Sequence, residues 1–151
     1  SFIMKVILLQ DDKKVGKKGQ IIEANDGFAR NYILPKKIGV EATPKNLNDL
    51  KLQKANEDKI AQQQLDAAKE LAAVLETKQV VVKMKAGEGG RVFGSVSSKE
   101  IVAEFKAQHG IELDKKKVVL QDSLKNFGNY EVQVKLHPQV TGKFTVKVTE
   151  A

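Results

Sequence analysis

Short aliphatic runs separated by charged turns occupy the beginning of the chain. Lys5–Leu9 is such a run and predicts a buried strand. A charged stretch with Gly16 and Gly19 follows it, and Gln20–Glu23 has the composition of a returning strand, so we expect a hairpin with a long loop. Ile38–Glu41 predicts a third strand. Three short strands bury little apolar surface, so this lobe needs another element packed against it.

A short helix is predicted between the second and third strands. Asn25-Asp26 is a capping sequence from which a helix of one or two turns could run through Tyr32. Pro35 disfavours helical geometry in the residue before it and so ends this helix.

A long polar stretch without Gly or Pro begins after Thr43-Pro44 and extends to Thr77. Threonine is a good N-cap and proline is favoured at the first helical position, so the pattern predicts one helix of about 32 residues and about 48 Å. Its middle offers only Ala55, Ile60 and Ala61 as apolar residues, which is typical of a helix that bridges two domains through solvent. The apolar residues near its two ends are Leu47, Leu50 and Leu52, then Leu65, Ala68, Leu71, Ala72 and Leu75.

Two alternatives for this stretch are a coiled coil and a disordered linker. A coiled coil needs a heptad repeat over three or four heptads, and the polar segment Gln53–Gln64 interrupts any such repeat. A linker is disfavoured by the capping signal and by the helix-forming composition. The pattern therefore favours a continuous helix.

The remainder of the chain alternates strand and helix signals. Val80–Lys85 predicts a strand, and the glycine-rich segment Gly87–Val96 predicts a loop. Ser97-Ser98-Lys99-Glu100 is a capping box, and Gly110 ends the helix that it opens. The apolar face of that helix consists of Ile101, Val102 and Phe105.

Two alternating strands are predicted near the end, and Val118–Leu120 forms a short apolar run before them. Val132, Val134 and Leu136 share one face of the first strand, and Phe144, Val146 and Val148 share one face of the second. We expect Thr141-Gly142 to lie in the turn between them.

Together these patterns predict an α+β protein of two small α+β domains joined by a long exposed helix. The first has a three-stranded antiparallel sheet with helices, and the second is mixed α+β. The expected segments are 1–45 for the first domain, packed on the start of the helix, 44–77 for the helix and 79–151 for the second domain.

The net charge differs among these three parts of the chain. The 151 residues carry a formal net charge of +7, of which residues 1–45 contribute +4, residues 46–78 contribute −1 and residues 79–151 contribute +4. Two basic ends indicate a polyanionic partner such as nucleic acid. The alternative is a lysine-rich protein without such a partner.

Other classes of function find little support in the composition. The chain has no cysteine, which excludes disulfides and thiol chemistry, and no apolar run approaches the roughly 18 residues of a membrane span. Ser1–Gln10 does not resemble a signal peptide, and we expect Met4 to be the natural initiator. His109 and His137 stand apart, with no nucleophile or carboxylate that the sequence pairs with them.

Cationic and aromatic residues concentrate in two segments of the first lobe. Four lysines surround Gly16, either as a solvated turn or as a mobile loop that lies along phosphates. The stretch Gly27–Lys37 mixes stacking faces, hydrogen-bonding groups and charge, a mixture that RNA recognition favours, although Phe28 could equally be core. The candidate residues are Lys13, Lys14, Lys17, Lys18, Phe28, Arg30, Asn31, Tyr32, Lys36 and Lys37.

The glycine-rich segment of the second lobe has two interpretations. It lacks the spacing of a P-loop or a dinucleotide site, and it is either a flexible hairpin loop or a phosphate contact. In the second case Arg91 would bind a phosphate and Phe93 would offer a stacking face. The lysines of Lys115-Lys116-Lys117 add charge elsewhere in this lobe.

Several of these motifs occur in order in one known family. Gly27–Lys36, followed by Ala42-Thr43-Pro44, resembles the amino lobe of the family of the ninth protein of the bacterial large ribosomal subunit. Gly89–Val96 and Asp114–Lys117 resemble motifs of its carboxy lobe, as does Val132–His137, and the likeness spans Met4–Glu150. In that family the position of Lys37 is usually Gly, that of Ala24 usually Val and that of Ile33 usually Leu.

The resemblance implies a structural protein that binds 23S ribosomal RNA of the large subunit, near the base of a mobile stalk. The first lobe would anchor on RNA while the second projects outward, where Arg91, Phe93, Ser95, Lys115 and Lys116 could touch RNA. It also implies a link to reading-frame maintenance. We expect a cytoplasmic, ribosome-associated protein, monomeric when free, with no enzymatic activity, cofactor, metal, membrane or small-molecule substrate. The alternative is a non-ribosomal spacer module that binds nucleic acid or protein.

Overall fold

The computed structural model describes residues 2–151. Within it the chain divides into two compact units, the first ending at Ile60 and the second running from Ala61 to Ala151. The long helix α2, Pro44–Glu76, contributes residues to both units.

A three-stranded antiparallel sheet forms the first unit, as predicted. Strand β1 (Ile3–Leu8) lies between β2 (Ile21–Asn25) and β3 (Gly39–Glu41). Side chains of a strand point alternately to its two faces, so Met4, Val6 and Leu8 share the core face of β1. They form a buried cluster with Ala29, Ile33 and Ile38.

The short helix of this unit begins as predicted and then widens. The Asn25 side chain accepts a hydrogen bond from the Gly27 amide at 2.9 Å and caps α1 (Asp26–Phe28). A π-helical turn, Ala29–Ile33, follows, so the predicted short helix through Tyr32 is present, with π-helical rather than α-helical hydrogen bonding in its second half. Ala29 and Ile33 are both fully buried, and packing rather than helix propensity therefore sets the geometry of this turn.

Helix α2 spans 33 residues without a break. The Thr43 hydroxyl accepts a hydrogen bond from the Asn46 amide at 3.1 Å, which confirms the predicted N-cap. All side chains of residues 51–64 are exposed, as the polar middle indicated. Near the second end Ala68 and Leu75 are buried. Near the first end none of the apolar residues belongs to a buried cluster: Leu50 is half-buried, and Leu47 and Leu52 are exposed.

The second unit contains a four-stranded mixed sheet and a two-stranded ribbon. The sheet has the order β4–β9–β8–β6, in which β4 runs parallel to β9 and the other neighbours are antiparallel. The ribbon pairs β5 with β7. Helix α3 (Ser98–His109) packs its Ile101 and Phe105 into the same core as Leu75 of α2. The strands are β4 (Gln79–Met84), β5 (Arg91–Val96), β6 (Val118–Val119), β7 (Leu124–Asn126), β8 (Gly128–His137) and β9 (Val140–Glu150).

Both signals that bound α3 are confirmed. The Glu100 carboxylate accepts a hydrogen bond from the Ser97 amide at 2.9 Å and also contacts the Ser97 hydroxyl. At the other end Gly110 adopts φ 69°, a left-handed conformation that glycine takes without steric cost.

Two predictions in this unit are wrong. Arg91–Val96 is a strand rather than part of a loop, because it pairs with β7, a strand that the sequence pattern did not predict. Thr141-Gly142 lies inside β9, and the turn is at Pro138-Gln139. Gly142 is buried there, and a Cβ atom on it would come within 3.0 Å of the Leu75 and Leu136 side chains, so this glycine serves close packing.

The fold class is as predicted: two α+β units and a long helix. Among residues 2–151, no helix has both the length and the apolar character that crossing a membrane requires.

Candidate nucleic-acid interface

The loop between β1 and β2 is closed by its own hydrogen bonds. Asp12 and Gly16 pair through their backbones, with N–O distances of 2.7 and 3.0 Å. The carboxylate of Asp12 accepts from the Lys14 amide at 2.8 Å, and that of Asp11 accepts from the Lys18 amide at 2.8 Å. Hydrogen bonds thus hold the backbone of this loop at both ends. It leaves four lysine side chains exposed: Lys13, Lys14, Lys17 and Lys18.

An aromatic cluster joins this loop to the π-helical turn. Phe28 stacks on Tyr32 with 5.0 Å between ring centroids. The Lys14 and Lys36 ammonium groups lie 5.1 and 4.5 Å from the centroid of the Tyr32 ring. The Tyr32 hydroxyl donates a hydrogen bond to Asp12 Oδ2 at 3.1 Å. Four of the candidate residues from two separate segments thus meet at one place.

The charge states of this cluster follow from its hydrogen bonds. The hydrogen bond from the Lys14 amide is the main cause that lowers the pKa of the Asp12 carboxyl, because it stabilises the ionised form. The bond to Asp12 raises the pKa of the Tyr32 hydroxyl, because the protonated form is the donor. At neutral pH Asp12 is therefore an anion and Tyr32 a neutral donor.

The other candidates of the π-helical turn and the segment after it are exposed, and in sequence they are neighbours of Phe28, Tyr32 and Lys36. The Arg30 Nε atom lies 3.1 Å from both carboxylate oxygens of Asp26, one turn earlier, and the Arg30 side chain remains 63% exposed. Asn31 and Lys37 are exposed. Lys37 has φ 56°, a left-handed conformation that is uncommon for a residue with a side chain.

Two residues of this region were not predicted from the sequence. One is Asp12, although an Asp in a turn commonly accepts a hydrogen bond from the backbone amide two residues further on. Lys54 of α2 lines a cleft of about 360 Å³ together with Lys18 and Gly19, Ile7 and Leu50. The position of Lys54 one turn after Leu50 was the available signal.

In the second unit the candidates occupy two segments. Arg91, Phe93 and Ser95 are exposed along β5, while Val92 and Val96 are buried. The exposed fraction of Phe93 is 72%, which is high for an aromatic residue. Lys115 and Lys116 lie in the turn before β6, where the Asp114 carboxylate accepts from the Lys116 amide at 2.9 Å.

Both histidines contact backbone groups. His109 Nε2 lies 2.8 Å from the Gln79 carbonyl oxygen, and His137 Nδ1 accepts from the Gln139 amide at 3.1 Å. In the part of the chain that the structure describes, no three His, Cys, Asp or Glu side chains are grouped so as to hold a metal ion.

Comparison with known proteins gives consistent results along the whole chain. Residues 4–50 match the family model for the ribosomal protein L9 N-terminal domain, and residues 66–150 match that for its C-terminal domain. The large ribosomal subunit protein bL9 of Agathobacter rectalis is 63% identical over 147 residues, covering 97% of this chain and 99% of that protein.

Two further relatives carry the same name. The bL9 proteins of Lachnoclostridium phytofermentans and Desulfitobacterium hafniense are 60% and 52% identical over 145 residues, each covering 96% of this chain and 98% of the relative. Both family models match in order, and these relatives align over nearly their full length. The chain therefore belongs to the ribosomal protein L9 family, whose members are structural proteins of the large ribosomal subunit.

Proposed function

We propose that the first unit binds 23S ribosomal RNA through the β1–β2 loop and the Tyr32 cluster, and that α2 acts as a rigid spacer that presents the second unit away from that anchor. The observation that carries the proposal is the exposure of Lys13, Lys14, Lys17 and Lys18 on a backbone tied by hydrogen bonds. Phosphate contacts provide most of the affinity for RNA, and a loop whose backbone is already held by hydrogen bonds loses less conformational entropy on binding than an unstructured one.

Specific recognition would come from the neighbouring polar and aromatic side chains. Phe28 is 38% exposed and can stack on an unpaired base, while Arg30 and Asn31 can reach base edges or phosphates. Lys36 and Lys37 extend the positive surface. In this proposal residues 1–45 with the start of α2 form the RNA-binding domain, residues 44–77 the spacer and residues 79–151 the projecting domain.

The second unit offers a smaller surface for RNA. Phe93 and Arg91 combine a stacking face with a guanidinium on one strand, and Ser95 follows on it. Lys115 and Lys116 provide charge on a separate turn. Replacing Arg91 by Gln should weaken binding only if this unit touches RNA, and an unchanged affinity for 23S RNA would leave this strand to another partner or to a structural role.

In the cell the protein would be cytoplasmic and bound to the large subunit, and monomeric when free, without a cofactor or a small-molecule substrate. Purified ribosomes washed at moderate and high salt test this association. The chain should stay with the large subunit, and free migration at moderate salt would contradict the proposal.

The loop is tested by replacing Lys13, Lys14, Lys17 and Lys18 with Gln. Binding to a 23S RNA transcript should weaken, and the slope of log K against log salt should fall by roughly 0.7–0.9 for each phosphate that the loop no longer neutralises. A control with the same change of charge replaces Lys69, Lys83, Lys99 and Lys147, which are exposed in the second unit. Equal slopes for the two variants would show that the loop has no special role.

A further inference from the structure

We propose that Asp12 is a positioning residue of the RNA-binding surface, because it holds Tyr32, and through Tyr32 the Lys14 and Lys36 ammonium groups, as a clamp for one backbone phosphate. This inference rests on the proposed RNA-binding function and assigns a task to an acidic residue within a basic surface.

Asp12 connects two segments that are distant in sequence. Its Oδ1 atom accepts from the Lys14 amide at 2.8 Å within the loop. Its Oδ2 atom accepts from the Tyr32 hydroxyl at 3.1 Å, and Tyr32 belongs to the π-helical turn. The Asp12 backbone pairs in both directions with Gly16, which holds the carboxylate in place. One side chain thus fixes the loop to the turn.

Two lysine ammonium groups lie over the Tyr32 ring. Lys14 reaches it from the loop and Lys36 from the segment after the turn, at 5.1 and 4.5 Å from the centroid. Attraction between an ammonium group and the ring restrains side chains that would otherwise sample many rotamers. Phe28 stacks on the same ring at 5.0 Å. Tyr32 is therefore a support for two lysines, and the more exposed Phe28 is the aromatic residue available to a base.

Charge and positioning predict opposite effects at Asp12. If only net charge mattered, loss of this carboxylate would strengthen RNA binding, because repulsion of phosphates would be removed. If Asp12 positions the lysines, its loss weakens binding even though the protein becomes more positive. The sign of the effect therefore separates the two accounts.

The experiment measures the affinity of the full-length chain for a 23S RNA transcript as a function of salt. Asp12→Ala should weaken binding about threefold to tenfold, the loss expected for one or two hydrogen bonds. Tyr32→Phe keeps the ring and the charge and removes only the hydroxyl, so it should weaken binding in the same direction with little effect on folding. The double variant should be no weaker than Asp12→Ala, because both changes break the same link. Asp12→Ala and Tyr32→Phe should each also lower the slope of log K against log salt. A change that affects only the stability of the fold would not lower that slope.

Glu23→Ala is the control for charge, since Glu23 is exposed on β2 in the same unit. It should bind as tightly as the unmodified chain or slightly more tightly. If the unmodified chain binds 23S RNA and Asp12→Ala behaves like Glu23→Ala, or Tyr32→Phe leaves affinity and slope unchanged, the positioning role is wrong. If the unmodified chain does not bind 23S RNA at all, the proposed function itself fails.

Discussion

At the scale of single residues, Lys37 shows a local conflict between sequence and backbone. Its φ of 56° lies in the left-handed region, where a Cβ atom crowds the following carbonyl oxygen at a cost of about 1–2 kcal/mol. The chain enters this conformation at the end of the π-helical turn, where the Lys37 amide donates to the Leu34 carbonyl at 3.1 Å. The family that the sequence resembles usually has Gly at this position, and here a lysine adopts the left-handed geometry.

Lys37→Gly should therefore stabilise the protein. Relief of crowding exceeds the entropy that glycine adds to the unfolded chain, so we expect the free energy of unfolding to rise by about 0.5–1 kcal/mol. Urea unfolding followed by circular dichroism measures it. Lys37→Ala removes the same charge but keeps the Cβ atom, and it should give no such gain. An equal gain in both variants would show that charge rather than backbone strain is responsible.

At the scale of elements, α3 covers part of the β4 edge of the four-stranded sheet. Strand β4 pairs only with β9, so its other edge has unpaired backbone groups. The Gln108 side chain donates to the Val81 carbonyl at 2.7 Å and accepts from the Val81 amide at 3.0 Å. His109 contacts the Gln79 carbonyl next to it. Side chains of a helix thus replace a neighbouring strand along part of this edge.

Gln108→Ala should weaken this attachment. The variant lacks the two hydrogen bonds to Val81 and a third to the Glu104 carboxylate. The position is exposed and water replaces these bonds in part, so we expect destabilisation of about 1 kcal/mol. Thermal unfolding of the full chain measures the effect, and hydrogen exchange at Val81 should speed up. Gln63→Ala on the exposed part of α2 controls for the change in helix propensity. Similar effects in the two variants would show that the edge contact contributes nothing.

At the scale of the whole molecule, the proposal that the first unit anchors on RNA while the second projects away depends on α2. Its residues 51–64 are all exposed and none belongs to a buried cluster, so beyond the Lys54 and Glu57 side chains, which border the first unit, the segment relies mainly on helix propensity. Such a segment can be softened without disturbing either core.

Insertion of Gly-Gly after Ala61 should loosen the spacer while RNA anchoring by the first unit persists. Two glycines cost about 1 kcal/mol each in a helix, so the distance between labels on the two units should become broadly distributed. Affinity for 23S RNA should stay within about twofold, since the lysine loop and Tyr32 are untouched. Spin-label distances and RNA titrations are the measurements, and Ala-Ala at the same site is the control that keeps the helix. Loss of anchoring with Gly-Gly but not with Ala-Ala would overturn the separation of anchor and spacer.

Features that depend on neighbouring residues could be predicted from the sequence. The Thr43-Pro44 start, the Ser97–Glu100 capping box and the Gly110 end were readable because caps act over one helical turn. The three strands of the first unit followed from short aliphatic runs, and the two basic ends from counting charges.

Features that need partners far along the chain became visible in the folded structure. β5 is a strand because β7 pairs with it, and Gly142 is buried because Leu75 and Leu136 lie against it. Asp12 meets Tyr32 across twenty positions of sequence, a contact that no periodicity encodes. Local propensities act within a few residues, whereas these contacts depend on packing that forms only when the core closes. The sequence therefore showed which residues are basic and aromatic, and the fold determines which of them lie together.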